Sequence, residues 1–192
     1  MIRLETLRLT IRNFEVDDWR ALQEMTLQCE SSEVAAYDYA WPTSAAEIRG
    51  IAKGFSCGDC CLAVCLKPTG RFIGSIALTP TEKEGRVEFD LGYRFNLDYH
   101  GKGYATEGCQ AVIDYTFRQL AADRVTSGTA AANHPSCRLL QRLGMTKTGE
   151  GIACFRKTSE GKPIEFVDFS FAITREEWLQ RIIREELRQN SS

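Results

Sequence analysis

The chain has 192 residues, of which 43% are hydrophobic and 26% charged, and its net charge is −2. This is the profile of a globular protein of one domain, residues 1–192; there is no lysine-arginine block to recruit nucleic acid. Nothing approaches the roughly 18 consecutive apolar residues of a membrane span. The N-terminal stretch lacks the apolar centre of a signal peptide, so the cytoplasm is the expected location.

In chain order, Leu7, Leu9 and Ile11 alternate with Arg8, Thr10 and Arg12, the pattern of a half-buried strand. Asp17 and Asp18 then precede a helix on which Trp19, Leu22 and Met25 share a face. An aromatic loop, "YDYAWP", follows at 37–42. Ser44 and Glu47 have capping-box spacing and open a short helix over 45–54. Residues 60–67 and 72–79 read as strands joined by a "PTGR" hairpin turn, and "KEGR" leads to a third strand over 87–95.

A glycine turn opens a helix over 104–120. A strand over 125–131 comes next, then a helix begun by Pro135 and ended by Gly144. Strands over 145–157 and 164–173 follow, joined by "TSEGKP". Thr174 and Glu177 form a second capping box before a C-terminal amphipathic helix reaching about residue 189, which either caps the domain or joins a dimer contact. The expectation is α+β: a mixed, mostly antiparallel sheet of about seven strands with helices on both faces.

Eight cysteines are present, four of them in "CGDCCLAVC". Cys57 and Cys60 have the C-x-x-C spacing of zinc ligands, but no second pair with a histidine follows, so buried structural thiols are favoured over a metal site.

The segment "YHGKGYATEG", residues 99–108, carries the chemistry. Gly101 and Gly103 tolerate backbone angles that other residues avoid, and the free N–H groups of a helix start attract anions. A nucleoside-triphosphate loop fails because the segment has only "GKG" where a longer motif ending in Ser or Thr is needed. A dinucleotide fingerprint fails because Thr106 stands at its third glycine and hairpin strands precede the turn. An ordinary turn into a helix is the remaining bland reading.

The segment resembles the acyl-CoA loop of the GNAT N-acetyltransferases, with His100, Gly101, Lys102, Gly103, Tyr104 and Ala105 matching in order. "LGYRF", "GKGYATE", "NHPSCRLLQRLGM" and "DFSFAITREEW" are similar in order and spacing to the RimJ/RimL-like branch, which acetylates protein N-termini and small amines. The resemblance spans essentially the whole chain. It implies the GNAT acyl-CoA N-acyltransferase fold and direct transfer of acetyl from acetyl-CoA to an amine acceptor, without a metal. The pyrophosphate would be cradled by N–H groups from Gly101 to Thr106, with Lys102 adding charge. His100 departs from the usual Gln or Arg.

The resemblance also implies site roles. Tyr93, Arg94 and Phe95 would pair through their backbone with the pantetheine arm, an N–H near Phe95 would polarise the thioester, and Asn133 would bond the pantetheine amide. Ser136 would bond the sulfur or relay a proton. Leu140 stands where many relatives have a tyrosine acid, and Phe155 where some have a glutamate base. Asp90 is preferred over Glu88 as the base, because it precedes the "xGY" pattern at a place where relatives often have Glu; both share one face of their strand unless a bulge intervenes.

Tyr37, Tyr39, Trp41 and Glu88 would form the acceptor side, the rings either facing a cation or packing under their loop. Two other readings stand beside acetyl transfer: another acyl-CoA as donor, or a CoA-sensing module without turnover. Monomer and homodimer are equally open.

Overall fold

A computed structural model describes residues 1–83 and 85–189. Eight strands form one sheet: β1 (Arg3–Glu5), β2 (Leu9–Asn13), β3 (Cys61–Leu66), β4 (Phe72–Lys83), β5 (Arg86–Phe95), β6 (Arg124–Ala130), β7 (Thr146–Lys157) and β8 (Pro163–Thr174), in the spatial order β1-β2-β3-β4-β5-β6-β8-β7. The expected count of about seven rises to eight because the short β1 pairs with β2. All neighbours are antiparallel except β5 and β6, which run parallel.

β4 continues through Pro80 to Lys83, past the expected end at Thr79. Pro80 pairs with Phe89. The Leu78 N–H bonds the Cys60 carbonyl on the β3 side, so by strand alternation the missing donor of Pro80 also points that way, beyond the end of β3. The proline therefore removes no bond from the β4–β5 ladder.

Among the described residues, five α-helices flank the sheet: α1 (Trp19–Glu30), α2 (Ala45–Ser56), α3 (Tyr104–Gln119), α4 (His134–Arg142) and α5 (Arg175–Gln189). The box at Thr174 forms in full, Thr174 Oγ accepting from the Glu177 N–H and the Thr174 N–H donating back to the Glu177 carboxylate. At Ser44 only the first half forms: Ser44 accepts from the Glu47 N–H, and the Glu47 carboxylate takes its bond from the Ser44 hydroxyl. β3 explains the layering. Leu62 and Val64 point into a core with Val112, Ile113 and Phe117 of α3, while Cys61, Ala63 and Cys65 point into a second core with Leu22 and Met25 of α1 and Ile48 of α2. A strand buried on both faces reads as a continuous apolar run, which is the character of "CLAVCL". Two of the clustered thiols thus sit in the core, while Cys57 and Cys60 are exposed beside it.

Candidate active site

The parallel ladder between β5 and β6 is short. It pairs Glu88 with Arg124, Phe89 with Val125 and Asp90 with Thr126, and then stops, although β5 continues to Phe95 and β6 to Ala130. Beyond Asp90 the strands part and open a cleft of about 1270 Å³. The Ser127 hydroxyl donates to the Leu91 carbonyl at 2.8 Å, capping the first acceptor released by the split. His100 donates from Nε2 to the Phe95 carbonyl at 3.0 Å. Leu91 and Phe95 thus present their backbone to the opening, and by strand alternation Tyr93 does too. The N–H groups of Tyr93 and Phe95 line the gap.

The glycine loop closes one end of this cleft. Gly101 and Gly103 have φ of +72° and +82°, the left-handed region where a side chain is strained. Gly103 is the N-cap of α3 and supplies no side-chain cap. Among the described residues, no protein acceptor meets any N–H from Gly101 to Thr106, and the first bond of the helix runs from the Glu107 N–H to the Gly103 carbonyl at 3.0 Å. Donors gathered at a helix start with nothing to bond fit a phosphate group.

Arg8 fixes the loop from behind. Its Nη1 donates to the Lys102 carbonyl at 3.0 Å, its Nε pairs with Glu107 at 2.7 Å, and its guanidinium lies 4.5 Å from the Tyr104 ring centroid. Lys102 turns its ammonium back to the Asp98 carbonyl at 2.8 Å and is not among the cleft-lining residues; the other residues of the loop from His100 to Thr106 are.

On the α3/α4 face of the split, the Tyr93 hydroxyl and Ser136 Oγ are 2.7 Å apart. Burial raises the Tyr93 phenol above its ordinary pKa, with the Ser136 bond opposing, so the ring stays protonated. Asn133 caps α4, its Oδ1 accepting from the Ser136 N–H at 3.2 Å, and both residues line the cleft. Leu140 is fully buried in the core.

On the α1/α2 face, the Asp90 carboxyl opens into the cleft. Burial by the walls pushes its pKa up, and a 3.2 Å bond from Thr126 offsets this in part. Glu88 lies elsewhere. It is 5% exposed, faces Arg124 at 3.6 Å and is not among the cleft-lining residues, because its end of β5 is still zipped to β6. No bulge intervenes: the β4–β5 register runs unshifted from Gly74↔Phe95 to Lys83↔Arg86.

The aromatic loop forms the far wall. Tyr37 meets Phe166 edge-on at 5.4 Å, and Tyr39, 62% exposed, lies over Phe155 at 4.2 Å. Trp41 packs beside Phe55 and under the Arg94 guanidinium, 4.2 Å from its ring centroid. Arg94 pairs with Asp38, and Arg156 pairs with Glu30 at 2.7 Å. Sequence reasoning missed Arg8, Ser127, Arg156 and Asp168, which reach the site or its supports from distant segments. It also did not foresee that the Tyr93 side chain meets Ser136.

These features bring a glycine loop with free N–H groups, a strand split and a carboxylate together in one cleft, and known proteins share the fold that holds them. The N-acetyltransferase YnaD of Bacillus subtilis (strain 168), itself uncharacterized, is 28% identical over 177 residues, covering 92% of this chain and 99% of that protein. A crystal structure of a GNAT-family acetyltransferase from Bacillus anthracis superposes with a TM-score of 0.76 at 26% identity, over 91% of this chain and 99% of that one. Spermidine N-acetyltransferase from Vibrio cholerae, solved with CoA and spermine, shares the fold at a TM-score of 0.73 and 17% identity, with 91% of this chain and 99% of that one covered. The acetyltransferase (GNAT) domain model matches residues 8–146, and the chain belongs to the GNAT family of acetyltransferases, enzymes that move acetyl from acetyl-CoA to an amine.

Proposed function

We propose that this enzyme is a RimJ/RimL-like N-acetyltransferase of the cytoplasm that acetylates a primary amine through Asp90, the Tyr93–Ser136 pair and the N–H groups of the β5 edge. The branch rests on the ordered motifs from "LGYRF" to "DFSFAITREEW". The location is supported by cysteines that are all free, three of them exposed. The observation that carries the cofactor is the run of N–H groups from Gly101 to Thr106 without an acceptor, opening on the same cleft as the strand split.

Acetyl-CoA supplies an activated carbonyl whose bond to sulfur breaks as the bond to the amine nitrogen forms. An amine of pKa near 10 is only about one part in a thousand neutral at pH 7. Asp90 removes its proton, directly or through a water, and partial desolvation in the cleft makes this carboxylate a stronger base than a fully solvated one, although its edge stays open to solvent. The N–H groups of Tyr93 and Phe95, which line the split, would donate to the thioester oxygen where negative charge develops, an interaction worth about 3 kcal/mol per pre-aimed donor.

Tyr93 is too weak an acid to protonate a thiolate, whose pKa lies near that of a free thiol at about 8.5. Tyr93 therefore donates to Ser136, and Ser136 directs its own hydroxyl at the departing sulfur. The second proton that the nitrogen sheds as the amide forms passes to solvent, from which the thiolate takes its own. This assigns Ser136 a hydrogen bond to the sulfur rather than a proton relay.

Titration calorimetry with acetyl-CoA, NAD and ATP tests the cradle, and acetyl-CoA alone should bind. Release of free thiol on adding amines tests turnover. Binding of NAD or ATP in preference to acetyl-CoA would overturn the assignment.

A further inference from the structure

The charges of the acceptor wall cancel. Glu30 is held by Arg156 through both carboxylate oxygens, at 2.7 and 2.8 Å, and Asp38 is held by Arg94. Arg156 also donates to the Asp38 and Tyr39 carbonyls at 2.8 and 3.2 Å. On the opposite side, α4 adds Arg138 and Arg142 to the cleft lining, and neither pairs with an acid among the described residues. Among the described residues, two cleft carboxylates have no cation partner, Asp90 and Asp168.

Both lie on one face of the sheet. Asp90 accepts from Thr126, and a Cβ built on Gly128 would lie 3.4 Å from the Asp168 carboxylate. Thr126 and Gly128 share a face of β6, about 7 Å apart along the strand at the usual rise per residue. Burial raises the Asp168 pKa, and no opposing charge lowers it. On β8, Phe166 stands two residues from Asp168 on the same face, and it packs edge-on against Tyr37 and Phe155 at 5.4 Å each. The cleft beyond the two carboxylates is thus aromatic and without net charge.

Resting on the proposed acetyl transfer, we infer that the acceptor is a small monoamine on an aromatic or apolar body. Asp168 holds its ammonium on the approach to Asp90, and its body lies against Phe155, Tyr37 and Tyr39, which line the cleft over the buried Phe166. With Asp90 engaged as the base, Asp168 is the one carboxylate free to hold a resting positive charge. A polyamine would bring further ammonium groups to a wall whose acids are already paired, so its extra charges would be desolvated without partners. Asp168 is a positioning residue that delivers the amine.

The test is thiol release from acetyl-CoA by the full chain with 2-phenylethylamine, spermidine and a short peptide with a free N-terminus, alongside calorimetry with acetyl-CoA. The inference expects kcat/KM for 2-phenylethylamine to exceed that for spermidine and for the peptide by about tenfold or more. It expects Asp168→Asn to raise the KM for 2-phenylethylamine about tenfold, with a smaller change in kcat and intact acetyl-CoA binding, and Asp168→Glu to restore much of the loss. Intact acetyl-CoA binding also reports that each variant is folded.

Equal or better turnover of spermidine or the peptide would overturn the inference and leave acetyl transfer standing. An unchanged KM in folded Asp168→Asn would overturn the role of Asp168. Acetyl-CoA binding with no thiol release by any amine would overturn the proposed function, and the acceptor class with it.

Discussion

The Tyr93 hydroxyl on β5 and Ser136 Oγ on α4 are 2.7 Å apart across the mouth of the strand split. On the proposed mechanism this pair directs one hydroxyl at the departing sulfur. Ser136→Ala and Tyr93→Phe should each lower kcat by about 10- to 100-fold, the cost of one buried charge-directed hydrogen bond, and leave the acetyl-CoA Kd within about threefold. Because the hydroxyls act in series, the double variant should lose little more than either single one. Additive losses in steady-state kinetics would separate the two residues.

Asp90 is expected to set the acid limb of the pH profile. Its pKa is raised by burial, so the unprotonated base appears only above the usual aspartate range of about 3.9, and activity should climb with pH there. Asp90→Asn should remove that limb and cut kcat by about 10²- to 10⁴-fold. A limb that survives in Asp90→Asn would assign it to another group.

Gly74 controls the position of the proposed oxyanion donor. A Cβ there would meet the Phe95 ring at 2.5 Å and the Arg94 carbonyl at 2.8 Å, so Gly74→Ala must push the end of β5. The expected cost is about 1–3 kcal/mol of stability from overpacking. Displaced N–H groups should also lower kcat more than acetyl-CoA affinity. Thermal melts and initial rates on the same preparation check both.

Arg156 ties the aromatic loop to β7 and to Glu30 of α1. Arg156→Ala should destabilise the protein by about 1–3 kcal/mol and raise the KM for the acceptor, because the loop carrying Tyr37 and Tyr39 loses its anchor. The Arg156 hydrogen bond holds the Glu30 pKa below its ordinary value. A lowered carboxylate pKa stabilises the fold above the unfolded-state pKa, and that stabilisation is lost as pH falls through the folded-state pKa. The gap between wild type and Arg156→Ala should therefore narrow as pH drops below about 4, measured by denaturant melts.

Much of the architecture is local physics and was legible in the chain. The caps at Ser44 and Thr174 act over three residues, and both side chains bond the expected N–H, with the full reciprocal box at Thr174. The alternation of Leu9 and Ile11 and the continuous run of β3 follow from which faces are buried. The glycine loop is also local: Gly101 and Gly103 set their own backbone angles, and a helix start always leaves its first N–H groups free. The sequence by itself therefore determined the order of the main elements, the free N–H groups on which the proposed phosphate site at 101–106 rests, and the family resemblance.

Tertiary structure alone decided where the chemistry converges. Glu88 and Asp90 share a face of one strand, yet one is sealed and the other faces the cleft, because the β5–β6 ladder ends between Asp90 and the next pair. The meeting of Tyr93 with Ser136, of Arg8 with Glu107 and of Arg156 with Glu30 joins residues 43, 99 and 126 positions apart. Periodicity within a segment reports which side is buried, but not which distant segment lies against it. Asp168 shows the same limit: its place beside Gly128 depends on the β6–β8 register, which brings β8 alongside β6 before β7 is added at the edge. Long-range register, and not local propensity, made that carboxylate part of the cleft.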